Sequence, residues 1–257
     1  MKFIDTHSHL YAEYYPEQFD QVVQRAIAAH VDTILLPCVA ADTIPHLLDA
    51  VEKYPDNLFP MIGLHPTEVK KDYREQLEVM ERYLEDPRMI AVGEIGLDLY
   101  HDTTFIEEQK IAFQQQLEWG RDLNLPFSIH IRDAYNEAIA ILKKYRWDSF
   151  SGVLHCFSGG IQEARWAIDH GFLLGIAGPV TFKNSRLQEI VKEIGVEHIV
   201  LETDAPFLAP MPYRGKRNES AYIPQIAEKI AEISGLTLEE VARITRKNAK
   251  AVFYKLP

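Results

Sequence analysis

Eight short runs rich in Ile, Val, Leu and Phe recur along the chain, with helix-length segments between them. They lie near residues 3–5, 33–37, 58–63, 90–93, 127–131, 152–156, 172–176 and 199–203. Each is too short for a helix, and its apolar residues are consecutive rather than alternate, as in strands buried on both faces of a parallel sheet. The intervening segments carry helical stripes. Residues 17–30 align Phe19, Val22, Val23, Ala26 and Ile27, residues 74–85 align Leu77, Met80 and Leu84, and residues 105–124 and 135–145 follow the same rule. Two more helices close the chain. One covers 223–234 and stops at Gly235; the next opens with Thr237-Leu-Glu-Glu240, a capping box in which hydroxyl and carboxylate each satisfy an exposed N–H. Eight strands alternating with helices predict an α/β fold, a (β/α)8 TIM barrel forming a single domain over residues 1–257. The rival is a doubly wound open sheet, but no G-x-G-x-x-G follows the first strand and no G-x-x-x-x-G-K-[ST] occurs anywhere.

Charge and composition narrow the function. A net charge of −11 argues against a surface that binds polyanions indiscriminately. The last 47 residues nevertheless hold nine Lys/Arg against five Glu, a net of +4 that leaves −15 for the first 210. Two cysteines, Cys38 and Cys156, are too few for a disulfide framework and suit a reducing compartment. The start has no apolar signal-peptide core, and the longest near-apolar stretch, 172–180, is half a membrane span. A cytoplasmic protein with no membrane association and no obligate protein partner is expected.

Six of the eight predicted strands lead into a residue able to bind a metal. These are His7-Ser8-His9 after the first, His65 after the third, then Glu94, His130, His155 and, after the last, Asp204. In a barrel the C-terminal strand ends ring one mouth, where active sites are built. His7 and His9 share a face by strand alternation and can chelate one ion. Imidazole with carboxylate suits Zn, Mn or Fe, and the carboxylate share admits Mg. The remaining histidines (His30, His46, His101, His170 and His198) lie in helical patterns or loops and are read as structural.

The order His-x-His, Gly93-Glu-Ile-Gly-Leu-Asp98, His130-Ile-Arg-Asp-Ala134, His155-Cys-Phe-Ser-Gly159 and Glu202-Thr-Asp-Ala-Pro206 resembles the TatD-type metal-dependent deoxyribonucleases of the amidohydrolase-like superfamily. The likeness runs from Asp5 to the Arg214-Gly-Lys-Arg-Asn218 loop. That loop continues Glu219-Ser220 where the family usually reads Glu-Pro, a departure expected to loosen it. The resemblance implies two divalent ions per chain, Mg, Mn or Zn. One would take His7, His9 and Asp204, the other His130 and His155, with Glu94 bridging. Two cations about 3.5–4 Å apart suit phosphoryl displacement by an activated water. Asp204 could also accept the proton of that water, or serve as a ligand alone.

Strand alternation adds supporting residues. Asp5 is in register with His7 and Glu202 with Asp204, so both acids are expected inside the barrel beneath the metals, orienting ligand imidazoles or bonded structurally. Asp98 shares the register of Glu94 but is expected in a loop. His65 is a candidate contact for substrate or leaving group, or a cap beside Pro66. Arg132 shares the register of His130 and is the first candidate for phosphate; Arg214 and Lys216 follow, with Arg217 and Lys183. Each charge could equally be a solvated surface residue. Tyr100, Phe157, Phe182, Phe207 and Tyr213 could stack on unpaired bases. Cys156 is expected to point away from the metals into the core, and Cys38 is read as structural.

The expected activity is metal-dependent hydrolysis of DNA phosphodiesters, on single strands or 3′ ends, because a narrow mouth admits a flexible end. The same centre could instead open an amide, lactone or aminoacyl ester, as in tRNA deacylation. The remote third reading is a metal-binding interaction protein without catalysis.

Overall fold

The computed structural model describes residues 1–257 apart from 12, 13, 17 and 148–151. Residue 17, where the first expected helix begins, thus lies outside the described residues. Eight strands pair in parallel and in chain order: β1 (Phe3–Asp5), β2 (Val31–Pro37), β3 (Leu58–Ile62), β4 (Ala91–Asp98), β5 (Phe127–Arg132), β6 (Gly152–Leu154), β7 (Phe172–Ile176) and β8 (Ile199–Leu201). The last meets the first: the Thr6 amide donates to the Leu201 carbonyl at 3.0 Å, and beyond the strands the Asp204 amide donates to His7 O at 2.9 Å. The result is the expected TIM barrel. Helices follow the strands as α1 (Phe19–Ala28), α2 (Ile44–Lys53), α3 (Tyr73–Glu81), α4 (Ile106–Asp122), α5 (Tyr135–Leu142), α6 (Ile161–Asp169), α7 (Leu187–Ile194), α8 (Ile223–Ser234) and α9 (Leu238–Val252).

Residues of alternate parity build two separate cores. Ile34, Leu36, Ile62, Val92, Leu174 and Leu201 join the helices in a large outer core. Their opposite-facing neighbours Leu35, Met61, Ala91, Val153, Leu173 and Val200 fill the barrel with Ile4, and the end of α9 closes this plug with Val252, Phe253 and Leu256. The Thr237 capping box forms as read, with the Glu240 amide donating to Thr237 Oγ1 at 3.2 Å and the Thr237 amide to Glu240 Oε2 at 2.8 Å. Gly235 ends α8 at φ 72°, in the left-handed region that glycine enters without strain.

Two features depart from the sequence reading. The sequence reading names no helix over α2, α6 or α7; in α6 only Ala164 and Ala167 are fully buried, while Ile161, Trp166 and Ile168 pack half-buried against the core. Strand β4 does not stop at Gly93 but runs to Asp98, because Leu97 and Asp98 still pair with Ile131 and Arg132. Glu94 therefore sits within a strand, beside an irregularity in pairing between Val92 and Ile95. Both acids of the Gly93–Asp98 motif are held by rigid backbone.

Candidate metal centre

Six side chains from five other strand ends gather around Glu94, which is buried. Its two oxygens face different partners. Oε2 lies 3.0 Å from His7 Nε2 and 3.5 Å from His9 Nε2. Oε1 lies 2.8 Å from His130 Nδ1, 3.4 Å from His65 Nε2 and 3.6 Å from His155 Nε2. Asp204 stands between the two groups, its Oδ1 3.5 Å from His9 Nε2 and 3.7 Å from His155 Nε2. Its backbone is left-handed at φ 56°, unusual for a residue with a side chain and concentrated at functional sites.

This donor set suits divalent cations. Five imidazole nitrogens approach the two oxygens of one carboxylate, more than its lone pairs can serve as hydrogen-bond acceptors in good geometry. Two donors on one tetrahedral ion stand roughly 3.4 Å apart, close to the separations seen. Among the described residues His9 Nδ1 is buried without a hydrogen-bond partner. The electrostatics agree. Burial opposes ionisation of Glu94, but the His65, His7 and His155 imidazoles hold it well below the usual carboxylate range. Burial likewise opposes charge on Asp204, which the His9 bond and the nearby imidazoles outweigh, so it too is lowered. Burial, reinforced by His155, drives His7 down to about 3 and leaves it a neutral donor. His155 behaves oppositely: burial lowers it, yet Glu202 and Glu94 raise it to about 10.

Three of the imidazoles have a partner behind them. His7 Nδ1 meets Ser128 Oγ at 3.0 Å, and His130 Nε2 meets Asp98 Oδ2 at 3.0 Å. His155 Nδ1 lies 3.2 Å from Glu202 Oε1, off the line of a good hydrogen bond. Gly175 makes room for Glu202, since a Cβ there would collide with its carboxylate. Asp98, expected in a loop, is thus a buried strand residue that positions His130, and it also binds His101 Nδ1 at 2.8 Å. Ser128 was missed, although it precedes His130 by two residues and strand alternation pointed to it.

Asp5 takes another part than the expected one. Its carboxylate accepts from the Thr203 amide at 3.0 Å, Thr203 Oγ1 at 2.6 Å and the His7 amide at 3.3 Å, and it reaches no imidazole. Burial raises its pKa to about 7, against hydrogen bonds from Thr203 and Ser220. Ser220, at the departure from the family pattern, is fully buried and donates to Ser8 Oγ at 3.2 Å. Asn218 clamps the Asp204 loop, its Nδ2 donating to Thr203 O at 2.8 Å and Phe207 O at 2.6 Å. Where the family's proline would stand, the serine hydroxyl thus supplies a tie. Arg217 serves the same structure by donating to Gln18 Oε1 at 2.7 Å.

His65 lies within the cluster. Its Nδ1 accepts from the Thr67 amide at 3.2 Å, capping the turn after Pro66, while Nε2 faces Glu94 and His130. A cleft of about 460 Å³ opens onto these groups, and Tyr100, Arg132 and Phe207 line it. Tyr100 is 59% and Phe207 49% exposed, so both can meet a ligand face on. Phe157 is buried and cannot; Tyr213 is stacked on Tyr222 at 4.0 Å. Arg132 sits 4.7 Å above Tyr100. Arg214 lies 4.5 Å over Phe182, and neither it nor Lys216 lines the cleft. Cys156 reverses the sequence reading: β6 ends at Leu154, Cys156 turns left-handed at φ 44°, and it lines the cleft. Cys38 is a buried structural residue. Among the described residues His30, His46, His170 and His198 stay outside the cluster.

Comparison with known proteins places these residues in context. The model of the family described as TatD related DNase matches residues 4–254. The uncharacterized metal-dependent hydrolase YabD of Bacillus subtilis is 39% identical over 250 residues, covering 97% of this chain and 98% of that protein. The 3′-5′ ssDNA/RNA exonuclease TatD of Erwinia tasmaniensis is 32% identical over 240 residues, covering 91% and 93%. Among solved structures, the TatD homologue YJJV of Escherichia coli K12 superposes with a TM-score of 0.90 at 29% identity, covering 98% of each chain.

Proposed function

The chain belongs to the TatD related DNase family of metal-dependent hydrolases, and from that premise we propose that it hydrolyses phosphodiester bonds of single-stranded DNA from 3′ ends, using two divalent ions. The observation that carries this reading is the division of Glu94: Oε2 toward His7 and His9, Oε1 toward His65, His130 and His155. In this reading His7, His9 and Asp204 would hold one ion and His130 and His155 the other, with Glu94 offering an oxygen to each set. His65 lies close enough to join the second set. Bound divalent cations, Mg, Mn or Zn, supply the Lewis-acid charge that acidifies an attacking water and neutralises phosphate oxygens.

The chain's own groups do the rest. Asp204 accepts the proton of the attacking water: both carboxylates line the cleft, but its side chain is 15% exposed against 2% for Glu94, and it is the more open of the two. Its lowered pKa keeps it ionised. Asn218 and the Asp5–Thr203 pair hold its loop in place. Arg132 meets a phosphate at the mouth, and Tyr100 and Phe207 offer faces for unpaired bases, a preference that favours single strands. Arg214 and Lys216, outside the cleft, meet phosphates further along the strand. The exonuclease named among the relatives supports this polarity and substrate.

The test is direct. Protein stripped by chelator and resupplied with Mg or Mn is expected to shorten a single-stranded oligonucleotide labelled at its 5′ end, giving a ladder that descends from the 3′ side. Intact oligonucleotide beside cleaved aminoacyl or carboxylic ester would move the assignment to a different bond.

A further inference from the structure

A second cavity, of about 500 Å³, opens beside the metal-centre cleft, between the start of α6 and helix α7. Arg132, Cys156, Ser158 and Leu208 line both spaces, so one chain of atoms can occupy the two together. The far wall is apolar, built by Ile161 of α6 and by Leu187 and Ile190 of α7. Arg186, exposed at the head of α7, adds a second guanidinium to that of Arg132. Glu189 and Glu193 also line the cavity, the latter paired with Arg165. A cavity carrying two carboxylates is a poor site for a bare phosphate. An apolar wall with cations at its edge, and acceptors for a base N–H, matches a base with its sugar and next phosphate. The size suits a small organic ligand, for which pockets of roughly 300–1,000 Å³ are usual.

We propose that this second cavity seats the nucleoside on one side of the scissile phosphate, its base against Leu187 and Ile190 and the following phosphate at Arg186. Arg132, standing on the shared wall, then marks the linkage between the two seats. The proposal rests on the nuclease reading of the metal centre and adds to it a subsite that grips the substrate away from the reacting atoms.

The experiment separates the two claims. Leu187→Trp fills the cavity and Arg186→Ala removes the outer cation. Both are assayed on tetrathymidylate and on bis(4-nitrophenyl) phosphate, which has no nucleoside. Each variant is expected to raise KM for the oligonucleotide about tenfold more than KM for the small ester, the size of one lost base contact, with kcat changing far less. Calorimetry on metal-stripped protein is expected to show thymidine 5′-monophosphate binding that Leu187→Trp weakens by about fivefold or more. KM values that move together for both substrates, or monophosphate binding indifferent to both variants, overturn the subsite while leaving the nuclease reading intact. Should the unaltered protein cleave neither substrate with Mg or Mn yet bind the monophosphate in a Leu187-sensitive way, the nuclease reading fails and the nucleoside seat stands.

Discussion

Within one barrel, the half that meets α9 and the half that opens as a mouth follow opposite rules. In the closed half Ile4, Leu35, Met61, Leu173 and Val200 interlock with Phe253 and Leu256, and the polar groups that intrude sit at its edge. There Asp32 pairs with Lys2 at 2.7 Å and with Arg246 at 2.8 Å. In the open half the same strands deliver five imidazoles and five acids, Asp5, Glu94, Asp98, Glu202 and Asp204, to the mouth, where polar groups are costly unless partnered. Burial of apolar surface stabilises the first half. In the second half, donors crowd toward a common centre and are held there by Ser128, Asp98, Glu202 and Asn218. A barrel can tolerate such a mouth because its stability is generated elsewhere, which is the division of labour this fold permits.

The sharpest way to break that comparison is to change one atom at the centre. Glu94→Gln keeps size and burial but removes the charge that both groups of imidazoles face. Metal-dependent cleavage is expected to fall by about three orders of magnitude or more, read as initial rate on a single-stranded oligonucleotide, with the circular dichroism spectrum kept. Near-normal turnover would show that Glu94 is not the hub. The converse change is Phe253→Ala, which empties part of the plug. It should lower unfolding free energy by about 3–5 kcal/mol in a denaturant titration, while turnover per folded molecule is retained; a selective loss of turnover would mean that the halves are coupled.

Asp98→Asn probes the layer between. Asp98 carries its charge against burial through bonds from His130 and His101, which hold it far below the ordinary range. Its loss should weaken metal affinity by about 10–100-fold, measured as the Mn concentration for half-maximal rate, with little change in thermal stability. The smallest effect is expected at the edge of the closed half. Burial opposes the charge of Asp32, but bonds from Lys2 and Arg246 outweigh it and lower its pKa. A lowered carboxylate contributes stability above its unfolded value of 3.8 and loses it as pH falls through the folded value. Asp32→Asn should therefore cost at most about 1 kcal/mol at pH 7, since the pair is partly screened, and the two proteins should converge in stability at the acid end of a pH series. A gap that persists there would assign the effect to packing.

The legibility of the site followed strand regularity. His7, His9, His130, His155 and Asp204 could be found from sequence because each follows closely on a predicted strand. Where the backbone is irregular, alternation fails: Asp5 turns to Thr203 rather than to an imidazole, and Cys156 enters the cleft through a left-handed residue. His65 was placed at the mouth but not in the cluster, because its spacing from β3 does not say how far the capped turn at Pro66 swings the ring inward. Helix α6 is harder to read because its fully buried residues are the small Ala164 and Ala167, while Ile161, Trp166 and Ile168 are only partly buried.

The order of strands and helices, the unbroken apolar runs that mark strands buried on both faces, and the presence of imidazole or acid at the ends of six strands were determined by the sequence alone, because each depends on neighbours within a few residues. Which oxygen of Glu94 faces which imidazole, that Asp98 and not Asp5 steadies a histidine, and that Ser220 ties the Asp204 loop were decided by the tertiary structure. Those contacts join residues as many as 212 positions apart, and no local pattern carries the distance between two side chains that only closure of the barrel brings together.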